Sequence, residues 1–217
     1  MIPFTADQFH GVFRAYNTAV WPAQWLLVAL GMAAVVLALI RWRWSGVAVF
    51  AILAALWAWI AVAYHLAFFA RISPPAYGSA ALSAVAALVF IWQGVIRRRL
   101  AFRWHRDVKS SAGVALIGFA LAVYPLWSIY FGLPYPELPT FGLPCPTTIF
   151  TIGLLCFAET PTPRSPLIIP LLWRLVGSQA AFLFGVWPDL GLVAAAVVGV
   201  GLLLNANRQQ RTSASTS

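Results

Sequence analysis

The sequence predicts an all-α, polytopic transmembrane helix bundle of about seven spans, and three observations predict it. Apolar residues make up 62% of the 217-residue chain and charged residues only 9%, against about 45–50% and about 25% in ordinary globular proteins. Mean hydropathy is +0.84, and eleven Trp with fifteen Phe add bulk that a small soluble core has no room for. The apolar residues also fall in runs of the length a helix needs to cross hydrocarbon, about 20 residues. These figures exclude a soluble enzyme, a secreted disulfide scaffold and a disordered chain. The 14 basic and 5 acidic residues leave a net charge of +9, which implies a basic aqueous face.

Residues 1–20 are expected to lie in the membrane surface rather than to form a cleavable signal, because Asp7, Gln8 and His10 interrupt the stretch and no basic region precedes it. Thr5 with Gln8 matches a capping box, and Phe4 with Phe9 a hydrophobic staple. Phe9, Val12, Phe13 and Tyr16 make one apolar stripe at helical spacing. Spans follow near 21–40, 46–70, 76–96, 111–132, 146–159, 165–186 and 188–204, so 1–204 reads as a single transmembrane domain and 205–217 as a disordered cytoplasmic tail. Helices are required because no water reaches the backbone there. The alternation of a β-barrel is absent from runs such as Val47 to Ala63.

Small residues predict how the spans pack. Ala51, Ala54, Ala58 and Ala61 mark an inward face leading to His65, with Leu53, Trp57, Ile60 and Tyr64 toward lipid. Arg174, Gly177, Ser178, Ala181 and Gly185 share a stripe on the sixth span, and Gly191, Ala195 and Gly199 one on the last. Pro125 is expected to free the carbonyl of Leu121. The fifth span is short: about 14 apolar residues cover only ~20 Å.

Orientation follows from the basic loops. Seven spans put Arg41, Arg43, Arg97, Arg98, Arg99, Arg103, Arg106, Lys109, Arg164, Arg208 and Arg211 on one side, with only Arg14 and Arg71 on the other. The N-terminus is therefore expected outside and the C-terminus in the cytoplasm. A re-entrant fifth segment would weaken this bias, so a short crossing helix is favoured. The run from Arg97 to Lys109 sits between spans, which makes anionic lipid head groups its expected partner and not nucleic acid.

Arg174 is the sharpest candidate, since a charge at a span centre costs ~2.5–3.5 kcal/mol on insertion scales. It reads as an anion ligand, as a gating partner of Glu159 or Asp189, or as an Arg held by backbone carbonyls. His65 reads as a proton relay, a soft-metal ligand or a satisfied interfacial histidine. Between Pro134 and Thr151 the proline density implies an ordered loop, with Pro146 at the first helical position and Cys145 at the cap, where the helix dipole favours a thiolate. Thr147, Thr148 and Thr151 then offer hydroxyls to a solute or back to their own helix. Cys145 and Cys156 lie ~16 Å apart along a helix, too far for a disulfide. One Cys and one His do not make a closed metal site. No nucleotide loop, catalytic triad or carboxylate pair is present, so neither an enzyme nor a cofactor is expected.

The segments Ala15 to Gln24, Tyr64 to Phe69, Pro139 to Phe150 and Phe184 to Gly191 resemble an uncharacterised bacterial membrane family, catalogued as a domain of unknown function. Some of its members carry the label of major-facilitator permease, which implies twelve spans against about seven here. The resemblance covers nearly the whole chain and implies a bacterial cytoplasmic membrane. It carries no activity and no catalytic residues. The leading expectation is a small-solute carrier or channel-like protein with an outward-facing polar vestibule lined by His65, Arg71, Cys145, Thr147, Thr148 and Gln179, with Arg174 at its floor. The alternative is a non-transporting accessory or sensor subunit, docking a membrane partner or a second copy.

Overall fold

The computed structural model describes residues 4–40, 42–98, 100–159, 164–177 and 179–215, and the side chains of 174–180 and 207–217 lie outside the description. Among the described residues the chain is all-α. Helix α1 (Ala6–Val20) and α2 (Ala23–Leu39) meet at a bend of 88°. Then come α3 (Ser45–Arg71), α4 (Ala76–Ile96) and α5 (Val108–Tyr130). A short α6 (Pro144–Leu155) is followed by α7 (Ser165–Gly177), α8 (Gln179–Phe184), a 3-10 turn (Trp187–Leu190) and α9 (Gly191–Ser215). Where a disordered tail is expected after Leu204, helical backbone continues to Ser215.

Among the described residues four helical stretches are long and apolar enough to cross a membrane, namely α3, α4, α5 and Trp187–Ala206; the bent α1–α2 pair makes a fifth if it counts as one span. That set is compatible with a multi-pass integral membrane protein. The other expected spans fall on shorter helices: α2 has 17 residues and α6 has 12.

The short α6 is the centre of the bundle. Every residue from Pro146 to Leu155 is buried, and a helix apolar all round belongs inside a protein rather than against solvent. Its close neighbour is α5, where Gly113 and Gly153 let the two backbones touch. A Cβ on Gly113 would lie 2.7 Å from the Gly153 carbonyl oxygen, and one on Gly153 3.0 Å from the Gly113 oxygen. The small stripe of α9 packs as its spacing implies. Gly191 abuts the Phe119 ring, Gly199 abuts Leu171, and Ala195 is fully buried.

On α3 the inward face is only partly the one expected from its small residues. Ala54 and Ala61 are buried as expected, but Ala51 and Ala58 are exposed, and Leu53, Trp57, Ile60 and Tyr64, expected toward lipid, are buried. The reason is that bulk is needed on this side to fill the space around α6, where Trp57 Nε1 donates to Thr151 Oγ1 at 3.1 Å and the ring meets Phe90. Small residues permit close approach but do not compel it.

Helices α3, α4 and α5 each widen into a π-helical segment, at Ile60–Leu66, Ile91–Ile96 and Phe119–Val123. The last precedes Pro125, whose ring excludes the ordinary bond to Leu121, so the widened turn absorbs the defect. The first carries Tyr64 and His65, and both consecutive side chains are buried.

The two ends of the bundle differ. At one end the basic loops converge: Arg43 and Arg98 both stack on Trp44, Arg97 stacks on Trp92, Arg103 pairs with Glu159 at 3.5 Å, and Lys109 donates to the Ala158 carbonyl at 2.7 Å. Exposed Trp42, Trp92 and Trp104 ring this end, and exposed Trp21, Tyr130, Tyr135 and Trp187 ring the other. Two aromatic girdles are the pattern of a protein seated between two membrane interfaces.

Candidate functional site: a lidded aromatic cavity

At the end opposite the basic loops, α1 lies across the bundle. Its N-terminus is built as its sequence implies: Gln8 N donates to Thr5 Oγ1 at 3.3 Å, Thr5 N donates to Gln8 Oε1 at 2.9 Å, and the Phe4 and Phe9 rings stack. The stripe of Phe9, Val12, Phe13 and Tyr16 is buried against protein, on Tyr64, Leu133, Leu143 and Val186, and not against lipid alone. The helix is thereby a roof.

Four sets of bonds fasten it, one of them Trp59 Nε1 donating to Tyr16 Oη at 2.7 Å. His10 Nε2 is 2.9 Å from the Phe184 carbonyl, and Arg14 pairs with Glu137. Asn17, fully buried, is the main one. Its Nδ2 donates to the carbonyls of Pro136 at 2.8 Å and Leu138 at 2.7 Å, while its Oδ1 accepts from Thr140 Oγ1 at 2.8 Å. Its own carbonyl accepts from Gln24 Nε2 at 2.8 Å and from Tyr135 Oη at 3.2 Å. The proline-rich loop is thus bound to α1 through one amide side chain.

Beneath the roof is a cavity of about 220 Å³. Its walls are aromatic, from Phe4, Phe9 and Phe13 of the roof to Tyr64, Phe69 and Phe184. Its polar floor brings together side chains from four helical elements: His65 of α3, Tyr124 of α5, Cys145 of α6 and Asp189 of the 3-10 turn. Tyr124 donates its hydroxyl to the Asp189 carboxylate, and the Cys145 thiol lies beside the same carboxylate. Asp189 is 2% exposed. His65 is fully buried beside Trp173, ring centroids 5.1 Å apart, and neither ring nitrogen has a hydrogen-bond partner among the described residues. Buried polar groups are almost always paired, so two orphaned nitrogens facing a cavity need an explanation.

Of the residues expected to line a vestibule, His65 and Cys145 meet here. Arg71, Thr147 and Thr148 do not join them. Arg71 is exposed and stacks on Phe68. Thr147 and Thr148 are fully buried, and Thr147 Oγ1 accepts from Gly142 N at 3.2 Å. Thr151 donates back to the Thr147 carbonyl at 2.7 Å. The helix also begins earlier than expected: Leu143 is the cap and Pro144 the first residue, which places Cys145 inside the first turn. Proline suits that first position wherever it occurs, and two candidates two residues apart made the register ambiguous. The side chains of Arg174 and Gln179 lie outside the described residues.

Sequence reasoning missed half of the cavity floor: Tyr124 is not singled out there, and Asp189 enters only as a partner of Arg174. The available signal is the scarcity of acids, five in the chain, since one of them adjoining an apolar span marks a site worth inspecting. Among the described residues no cluster of three or more His, Cys, Asp or Glu side chains is able to hold a metal ion.

A family model described as Family of unknown function (DUF6064) matches residues 6–214. No curated protein and no solved structure matches the chain.

Proposed function

Because the chain belongs to the DUF6064 family, whose function is unknown, we propose from its geometry that it is a membrane-embedded binding protein, taking a small, largely apolar molecule into the cavity under α1 and acting as a sensor or accessory subunit. The observation that carries this reading is the contrast between a hollow end and a filled middle. Below Tyr124 and Cys145 the core is occupied by Phe50, Trp57, Phe90, Ile149, Phe150 and Ile152, each at most 1% exposed. A conduit needs polar groups along its length, whereas a binding site needs a concave apolar chamber with a few placed polar atoms.

On this reading the cavity lies at the outer surface and the basic end in the cytoplasm, in keeping with the loop charges. The seven-span arrangement then counts α2, α6 and the α7–α8 segment as crossings, with α6 reaching both surfaces through buried non-helical chain, which is tolerated inside protein. The localisation is a bacterial cytoplasmic membrane, and no chemistry is assigned to the site.

The test is protection of Cys145 from N-ethylmaleimide in nanodiscs, in a Cys156→Ala background, with toluene as a small apolar probe. Toluene is expected to slow labelling several-fold and to raise the unfolding temperature. Unchanged labelling, together with solute flux in proteoliposomes, would overturn the binding role in favour of a carrier.

A further inference from the structure

The cavity has an unusual polar content for an apolar chamber. It holds one carboxylate, Asp189, with a phenol and a thiol as its neighbours and no Lys, Arg or His in an ion pair with it among the described residues. It also holds an imidazole whose two nitrogens have no partner among the described residues. Around these stand the aromatic side chains of Phe9, Phe13, Phe69, Phe184 and Trp173.

A carboxylate away from water is favoured only where a cation or a proton meets it. Ring faces carry negative charge density and attract cations, more strongly once both are desolvated. The same wall that repels an anion therefore suits an ammonium group, and the rest of such a ligand would meet apolar surface. Neutral histidine offers one donor and one acceptor, so His65 is free to bind a second polar group on the ligand.

Resting on the binding role argued above, we propose that the ligand is a small organic ammonium ion: its N–H groups donate to Asp189, the aromatic walls enclose its apolar body, and His65 takes a hydroxyl or similar group. Size agrees with this class. An engineered cavity of about 150 Å³ holds benzene, so 220 Å³ has space for one ring and a short charged arm.

The experiment uses the full chain in nanodiscs and two probes of nearly the same shape, 2-phenylethylamine and propylbenzene, compared at equal concentration in the membrane phase. Binding is read from protection of Cys145 and from the rise in unfolding temperature at pH 7. The amine is expected to bind about ten-fold or more tighter, a difference of roughly 1.4 kcal/mol. Asp189→Asn is expected to abolish the preference while leaving propylbenzene binding in place. In a second arm, 2-amino-1-phenylethanol is expected to bind more tightly than 2-phenylethylamine in the wild type and equally in His65→Ala.

Equal binding of the amine and its neutral counterpart would overturn the ammonium assignment but leave the binding role standing. Binding of neither would overturn both. The wild-type comparison decides the matter even if Asp189→Asn fails to fold.

Discussion

Tyr124 and Asp189 are joined side chain to side chain across 65 positions of sequence, phenol donating to carboxylate, at the floor of a cavity roofed by the first helix. The bond ties the π-widened middle of α5 to the turn that launches α9. Tyr124→Phe keeps the ring and removes the hydroxyl. The expected cost is about 1 kcal/mol, the usual net value of one intramolecular hydrogen bond, read as a lowered unfolding temperature in detergent. An unchanged value would mean that the contact adds nothing to the folded state.

Asn17→Asp is expected to be the most damaging single change in the roof. It preserves shape but places an oxygen where Nδ2 now donates to the carbonyls of Pro136 and Leu138. Each buried carbonyl left without a donor costs roughly 1–3 kcal/mol. Limited proteolysis in the 132–143 loop checks it, since cleavage there should accelerate while α3 to α5 stay protected.

Gly113→Ala is expected to destabilise by about 1–3 kcal/mol, the range for an overpacked core. The added methyl meets the Gly153 carbonyl at 2.7 Å, and backbone yields less readily than a flexible side chain. Gly118→Ala, on the same helix, meets nothing within 4 Å and serves as the control. Equal thermal stability of the two variants would refute the close crossing of α5 and α6.

Asp107 caps α5, its carboxylate accepting from Ser110 N at 2.8 Å. That backbone hydrogen bond holds its carboxyl below the usual range. The folded form therefore binds a proton less readily than the unfolded one. The resulting stabilisation is present above the ordinary Asp value and disappears as the pH falls through the lowered one. Protection from hydrogen exchange in the first turn of α5, taken relative to the intrinsic rate at each pH, is expected to fall at low pH in the wild type and already at neutral pH in Asp107→Ala.

The helices were readable because hydropathy alone dictates them, and the capping box because its spacing is strictly local. Gly191, Ala195 and Gly199 also announced a contact correctly. The cavity was less legible. His65 and Cys145 stood out as rare residue types, but Asp189 and Tyr124 acquire meaning only through a contact that no local pattern encodes. The facing of α3 was only half legible for a related reason. Alanine spacing tells which face can approach a neighbour closely, whereas the volume to be filled around α6 decides which face does.

The bonds that tie the roof to Pro136, Glu137, Leu138, Thr140 and Phe184 span 119 to 174 residues of sequence. Helix α1 precedes all of these partners in the chain, so its seat is completed only when Phe184 has been made. During synthesis its greasy stripe must wait elsewhere, and the bilayer surface is the one apolar refuge close by. A chain halted before the 132–143 loop would keep α1 undocked and the chamber unroofed.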